Sequence, residues 1–176
     1  MVVFIEEVLK QMNTQLNRIV MCLNKLTEED IWRKMNTNTN SIGNLCIHLA
    51  GNEYQHIVSG IGEQPFVRER SEEFSVTNSL NKEELIERLR FVRQESTSIL
   101  LKLLEENLIR EVKVSYDEED WKRMRNSLVA GEPFYRRPIQ THLFHVAEHY
   151  GYHTGQIVLI TKLLCDDNEH VTQYRH

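Results

Sequence analysis

Residues that break helices are scarce in this chain of 176 residues, which contains only 7 glycines and 3 prolines. A β-sandwich or β-barrel needs a turn about every 8–12 residues, and glycine and proline supply many of those turns. Long helices need few of them, so the scarcity predicts an all-α protein. The length predicts one domain, which we place at residues 1–165, followed by a polar tail at 166–176.

Four segments carry apolar side chains at the three- and four-residue steps of an amphipathic helix. These predicted helices run from Val3 to about Leu26, from Ser41 to about Gly60, from Asn81 to about Asn107 and from Pro138 to about Leu164. A short capped turn of helix is expected at Thr27, and Glu84 is the expected capping-box partner of Asn81. The pattern predicts a four-helix bundle.

Two connections stand out between these helices. Residues 60–80 lack periodicity and are too long for a plain link between packed helices, which is typical of a functional loop. Residues 108–136 are ambiguous, because EVKVSY alternates like a strand and WKRMRNSLV has the length of one or two helical turns. We treat this second stretch as irregular, with Trp121 and Phe134 as core anchors or pocket residues.

Charge and cysteine content exclude several classes of function. The net charge of −5 disfavours a nucleic-acid binder, and no apolar run approaches the roughly 18–20 residues that cross a bilayer. The acidic N-terminal segment does not resemble a signal peptide. Three cysteines without CxxC spacing are typical of free thiols, so we expect a cytoplasmic protein.

The fourth predicted helix directs histidines toward the bundle core. Its apolar stripe contains Val146 and Ile157, and His149 and His153 fall within that stripe, with Gln156 beside them. Buried imidazoles without partners cost roughly 1–3 kcal/mol each, so the core must satisfy them. Each ring could be a hydrogen-bonded core histidine, but two histidines four residues apart also have the spacing that chelates a divalent metal.

The second predicted helix supplies a third candidate ligand. His48 shares a polar strip with Asn52 and His56 on an otherwise apolar helix. Facing this strip with His149 and His153 would give three neutral imidazoles and leave one coordination position open, as in catalytic zinc sites. Cys46 lies two residues from His48 and points to nearly the opposite face, so it is not expected to bind metal.

The segments IHLAGNEYQHI and HVAEHYGYHTGQI resemble the DinB-like superfamily of metal-binding four-helix bundles. The loop segment PFVRERSEEF is similar to a subgroup of that superfamily without an assigned function. The resemblance implies that His48, His149 and His153 bind a divalent ion, zinc or nickel above all. Related members include S-transferases that use low-molecular-weight thiols and an isomerase with such a thiol as cofactor.

From this we expect a metal-dependent S-transferase with a low-molecular-weight thiol and a small-molecule substrate. A metal-dependent hydrolase and a non-catalytic metal-binding stress protein are the alternatives. Asn52, His145 and Gln156 are expected around the metal site. Arg68 and Arg70 could receive an anionic substrate, although the glutamates interleaved with them favour a solvated loop.

Two glycines in the fourth helix require a reason, because each costs about 1 kcal/mol relative to alanine in a helix interior. Gly151 and Gly155 lie on the face away from His149. Close approach of another helix is one reason, and that helix belongs either to the same chain or to a second subunit. The resemblance favours a homodimer.

Overall fold

The computed structural model of the protein describes residues 2–66, 68–125, 132–165 and 171. Its helices and strands are α1 (Val3–Lys25), α2 (Glu28–Trp32), α3 (Ile42–Glu53), α4 (Glu72–Ser75), α5 (Lys82–Leu100), β1 (Glu111–Ser115), α6 (Glu118–Arg125), β2 (Phe134–Pro138) and α7 (Ile139–Leu164). A π-helical segment, Tyr54–Ile61, continues α3, and a 3₁₀ turn follows α5 at Glu105–Ile109. The predicted all-α class is confirmed, apart from one small hairpin.

Capping side chains fix where the helices begin. Thr27 and Asn81 accept hydrogen bonds from backbone N–H groups of the first turn, as expected from their sequence context. Ser41 starts α3 in the same way, and the Asn44 carboxamide accepts the Ser41 N–H in return, at 3.2 Å. Each capping box satisfies two N–H groups that the helix itself leaves unpaired.

Four long helices form the bundle. α1 packs against α7 and α5, and α3, with its π-helical continuation, packs against α5 and α7. The core between them is apolar and includes Met12, Ile19, Leu49, Leu89 and Val146, each completely or almost completely buried. None of the described helices is both long and apolar enough to cross a bilayer.

The stretch that the sequence left irregular contains a β-hairpin. β1 and β2 pair antiparallel, with Glu111 opposite Pro138 and Ser115 opposite Phe134. Val112 and Val114 are buried, so the alternation in EVKVSY does mark a strand. The expectation of an irregular segment is therefore wrong here, because β1 finds its partner 19 or more residues downstream, beyond the reach of local pattern reasoning. Residues 126–131 lie outside the described part of the chain.

Helix α5 ends earlier than its periodicity predicts. It stops at Leu100, although the sequence suggests an end near Asn107. The Asn107 side chain accepts a hydrogen bond from the Leu104 N–H at 2.7 Å and caps the following 3₁₀ turn. An asparagine side chain can thus accept a hydrogen bond from a backbone N–H that would otherwise pair with a backbone carbonyl of the helix. The helix is then free to end.

A buried ion pair joins the helices on the side of α3 that faces α5. The carboxylate of Glu53, completely buried, accepts hydrogen bonds from Arg93 Nε at 2.8 Å and Arg93 Nη2 at 3.0 Å. The Tyr150 hydroxyl of α7 donates to the same carboxylate at 2.6 Å. The arrangement links three helices through one charged group, and removing one partner of such a pair typically costs about 3–5 kcal/mol.

The two glycines of α7 point away from the bundle. Gly151 and Gly155 are exposed, and a Cβ added at either position would meet no other described atom within 4 Å. The proposed packing of a helix of the same chain on these glycines is therefore wrong. Around them lie exposed apolar side chains of the same helix, namely Phe144, Tyr152, Leu159 and Leu163.

Candidate metal centre

Three histidines meet between α3 and α7. His48 comes from α3, and His149 and His153 come from consecutive turns of α7. One ring nitrogen from each lies within 4.8 Å of the others, and the Nε2 atoms of His48 and His149 are 2.8 Å apart. Within the described ranges, this is the group of histidine, cysteine and acidic side chains that could hold a metal ion.

Glu73 of α4 sets the tautomer of His48. One carboxylate oxygen of Glu73 lies 2.8 Å from His48 Nδ1, and a carboxylate can only accept. The proton of His48 is therefore on Nδ1, and the lone pair of Nε2 points toward His149 and His153. A guanidinium nitrogen of Arg68 also lies 3.2 Å from Nδ1, but two donors cannot bond each other, so this contact is packing.

Gln156 plays the same part for His153. The Gln156 carboxamide oxygen lies 2.6 Å from His153 Nδ1 and accepts a hydrogen bond from its N–H. The Nε2 atom of His153 is thus left as an acceptor. Such outer hydrogen bonds orient metal-binding imidazoles in many proteins and keep their inner nitrogens available.

Burial keeps all three imidazoles neutral. It is the main cause that lowers the pKa of His48 and of His153 below the ordinary histidine value. For His149 burial, together with the neighbouring His48 and His153, lowers the pKa to about 2. Neutral imidazole is the form that binds a metal ion, so the site is in its binding form at neutral pH.

Arg68 keeps Glu73 ionised in this buried position. Burial acts to raise the pKa of Glu73, but hydrogen bonds from Arg68 and then His48 outweigh it, and the pKa is lowered. Arg68 Nε and Nη2 donate to the two carboxylate oxygens at 2.7 and 2.8 Å. Arg68 Nη1 donates to the Gln55 side-chain oxygen, which fixes the guanidinium from the other side.

Gly51 leaves the space that this ion pair occupies. A Cβ at position 51 would collide with Glu73 Oε1 and lie 2.9 Å from Arg68 Nε. Asn44, one helical turn before His48, donates from its carboxamide to the backbone oxygens of Glu73 and Val76 at 3.0 and 2.8 Å. The segment that carries Glu73 is therefore docked on α3 by both its backbone and its side chain.

The structure brings together most of the residues expected from the sequence. His145 stacks on His149 with ring centroids 5.7 Å apart, and Gln156 contacts His153 directly. Asn52 is buried on the same face of α3, and its side-chain oxygen has no hydrogen-bond partner among the described residues. Cys46 is buried, and burial raises the pKa of its thiol, so that side chain is not in its metal-binding form.

Sequence reasoning missed Glu73 and misjudged Arg68. The expectation of a solvated charged loop is wrong for both, because Arg68 and Glu73 are 9% and 7% exposed. Alternating charges such as those in RERSEEF are ordinary on a protein surface, so the composition of the loop did not indicate that two of its charged residues are buried. Gly51 was the available signal, since a glycine inside an apolar helix and three residues after His48 indicates close approach of another group.

A second group of histidines continues the polar face beyond the histidine triad. His56 Nδ1 and His142 Nδ1 are 3.3 Å apart, and the His145 ring lies 5.0 Å from the His56 ring. Tyr135 of β2 stacks on His142 at 5.7 Å. Burial is the main cause that lowers the pKa of His142 to about 4, so this pair also remains neutral. The hairpin therefore covers the end of the histidine-lined interface.

The fold and site together define a DinB-like helical bundle with a three-histidine group that could hold a metal ion. A family model described as mycothiol-S-transferase matches residues 7–164, and the chain belongs to this family. No curated protein sequence matches the chain.

Solved structures share the fold at low sequence identity. A DinB-like protein from Bacillus cereus is 16% identical, with a TM-score of 0.63 over 90% of this chain and 91% of that one. A conserved protein from Enterococcus faecalis is 17% identical, with a TM-score of 0.63 over 93% and 97% of the two chains. A mycothiol-dependent maleylpyruvate isomerase is 15% identical, with a TM-score of 0.60 over 89% of this chain and 63% of that one.

We predict that Gly51→Ala releases His48 from Glu73 in the metal-free protein. The added methyl group displaces the Glu73 carboxylate, which is the flexible end of a side chain, so the fold should tolerate the change. Side-chain nitrogen NMR of the parent should show His48 with its proton on Nδ1, whereas the variant should show a mixture of tautomers.

Gly155→Ala is the matched control, because it makes the same change on an exposed helix position with no neighbour within 4 Å. It should keep the His48 tautomer and raise the free energy of unfolding by up to about 1 kcal/mol. Identical His48 spectra for the parent and Gly51→Ala would contradict the assigned role of Glu73.

Proposed function

We propose that this protein is a divalent-metal-dependent S-transferase that uses a low-molecular-weight thiol, with His48, His149 and His153 as its metal ligands. The observation that carries the proposal is the convergence of three neutral imidazoles, one from α3 and two from α7, in a member of the mycothiol-S-transferase family. The isomerase among the structural neighbours is itself mycothiol-dependent by name, which supports a thiol in the reaction.

The residues of this chain prepare the site before any ion binds. Glu73 and Gln156 hold the outer nitrogens of His48 and His153, so both rings present Nε2 to the centre. The His145 ring supports His149 by stacking, and the buried Asn52 side-chain oxygen on the same face of α3 has no hydrogen-bond partner in the described part of the chain. Preorganised ligands reduce the ordering required on binding.

The donor set also favours particular ions. Imidazole nitrogen suits zinc, nickel, copper and iron better than magnesium or calcium, and we favour zinc or nickel. Three neutral ligands leave a bound divalent ion with its full charge, which lowers the pKa of a coordinated thiol or water. In the transfer, the thiolate sulfur forms a bond to an electrophilic carbon of the small-molecule substrate, and the leaving group departs with the bonding pair.

The net charge and the free cysteines of the chain are consistent with a small-molecule substrate in a reducing compartment. Cys22, Cys46 and Cys165 are free, as expected for a reducing cytoplasm, where low-molecular-weight thiols are maintained. The net charge of −5 does not favour nucleic acid as a partner. We therefore propose that a small molecule, and not a nucleic acid or a membrane, is the substrate.

The ligand assignment predicts an unequal response to histidine substitutions. His149→Ala and His153→Ala should each abolish binding of one equivalent of zinc or nickel, because each removes a donor. His145→Ala, which removes only the stacked neighbour, should weaken binding by at most about 10- to 100-fold. Elemental analysis after purification without added metal, followed by calorimetric titration, measures both effects. Equal losses for His145 and His149 would show that the ligand set is wrong.

The proposed reaction predicts metal-dependent consumption of a thiol. The zinc- or nickel-loaded protein should accelerate coupling of a low-molecular-weight thiol to an electrophilic aromatic chloride, measured as conjugate formed and chloride released. His149→Ala should lose this activity and His145→Ala should retain part of it. Hydrolysis of an activated ester without thiol would instead identify a hydrolase, and metal binding without either reaction would identify a non-catalytic metal-binding protein.

We further propose that the exposed face of α7 joins two subunits into a homodimer. Gly151 and Gly155 make a flat strip one helical turn apart, and the exposed Phe144, Tyr152 and Leu159 lie along the same helix. A strip of small residues lets a second helix approach closely, and the flanking apolar side chains would be removed from water.

Replacing both glycines by leucine tests this dimer. The double variant Gly151→Leu with Gly155→Leu fills the strip at two exposed positions where an added Cβ meets no described atom within 4 Å, so each subunit should still fold. Sedimentation should give a dimer for the parent and a folded monomer for the variant. A monomeric parent, or a variant that remains a dimer, would refute the proposed interface.

A further inference from the structure

The two arginines of the loop before α4 have different surroundings. Arg68 is buried, and its guanidinium donates hydrogen bonds to Glu73 and Gln55. Arg70 is half-buried, and among the residues that the structure describes no side chain forms a hydrogen bond or ion pair with its guanidinium. The guanidinium lies over the Phe74 ring, with Cζ 5.4 Å from the ring centroid.

Phe74 connects Arg70 to the histidine triad. The Phe74 ring packs on the His48 ring with centroids 4.7 Å apart, and the Arg70 guanidinium lies over the same Phe74 ring. Arg70 is therefore one aromatic side chain away from a member of the triad.

The backbone at Arg70 is anchored by a hydrogen bond, whereas its guanidinium forms none with a side chain that the structure describes. Asp120 of α6 accepts a hydrogen bond from the Arg70 N–H at 2.9 Å and another from the Ser71 hydroxyl. Asp120 is itself 5% exposed, so this anchor is a buried one. The loop therefore holds Arg70 in place without neutralising it.

The acidic side chains of this loop are directed elsewhere. Glu73 is occupied by Arg68 and His48. Glu69 and Glu72 line a cavity of about 620 Å³ between α3 and α5, which Arg70 does not line. A guanidinium that lies one aromatic ring away from His48 and has no carboxylate partner in the described chain is available to an anion from outside.

We propose that Arg70 receives a carboxylate of the ligand that binds at the histidine triad, so that the protein selects thiols carrying an acidic group. This inference rests on the proposed function, because it assumes that a thiol binds at the triad. Arginine pairs with carboxylates through two parallel hydrogen bonds, which adds geometric selection to charge attraction. Arg70 then determines which thiol binds, and the triad determines where its sulfur lies.

Two thiols that differ in one carboxylate test the proposal. The probes are 3-mercaptopropionate and 2-mercaptoethanol, titrated into the cobalt(II)-loaded protein, in which a thiolate–cobalt absorption band reports binding without turnover. The measured quantity is the ratio of their dissociation constants, and this ratio is compared between parent and variants. Differences in acidity between the two thiols cancel in that comparison.

The parent should prefer 3-mercaptopropionate, and Arg70→Gln should reduce the preference by about 10-fold or more while leaving the affinity for 2-mercaptoethanol unchanged. Arg70→Lys should restore part of the preference, because lysine keeps the positive charge but lacks the two parallel N–H donors of the guanidinium. Arg90→Gln removes the same charge from an exposed position of α5 and should leave the ratio as in the parent.

Each other outcome has a distinct meaning. If both thiols bind and Arg70→Gln leaves their ratio unchanged, the role of Arg70 is refuted and the proposed S-transferase function stands. If Arg90→Gln lowers the ratio as much as Arg70→Gln, net charge and not Arg70 selects the thiol, which also refutes the proposal. If neither thiol produces the absorption band, thiol binding at the triad fails, and this inference fails with it.

Discussion

Three imidazole rings meet between α3 and α7, and the cost of burying them governs the surrounding structure. Each ring needs a partner for its outer nitrogen, and His48 obtains one from Glu73. Glu73 brings a negative charge into the protein, which in turn requires Arg68. Arg68 requires Gln55, whose carboxamide also donates to the Ser115 backbone oxygen of β1 at 2.8 Å. One buried ring therefore leads through three further side chains to the hairpin, since a buried polar group without a partner is costly.

Helix α3 forms buried hydrogen bonds with charged groups on two sides, and these bonds tie it to its neighbours. On one side His48 meets the Glu73–Arg68 pair, and on another Glu53 meets Arg93 and the Tyr150 hydroxyl. Nearly every residue of α3 is buried as a result. The hydrogen bonds fix the positions of α4, α5 and α7 relative to α3, whereas apolar contacts alone tolerate sliding. Such buried pairs contribute little net stability, and their effect here is to define geometry.

Local patterns predict the parts of this protein that depend on local physics. The amphipathic spacing gave the bundle, and capping residues such as Ser41 and Asn81 gave its helix starts within one or two residues. The stripe of His149 and His153 indicated the triad because helical spacing fixes which side chains share a face. The partner of β1 and the burial of Glu73 depend on contacts across 19 or more residues, which periodicity does not contain. The end of α5 was missed because the Asn107 side chain accepts a hydrogen bond from the Leu104 N–H, which favours a 3₁₀ turn over further α-helix. The apolar periodicity around Asn107 contains no sign of this hydrogen bond.

The missing side chain at Gly51 makes the residue types at three positions of the sequence depend on one another. Only a residue without a Cβ leaves room for the Glu73–Arg68 pair against α3, so the three identities belong to one structural unit. A related sequence that keeps the histidine triad but has a larger residue at the position of Gly51 must hold its first histidine by another route. The residue at this position can therefore divide relatives by the hydrogen-bond partner of their first histidine. The three histidines alone do not distinguish such relatives.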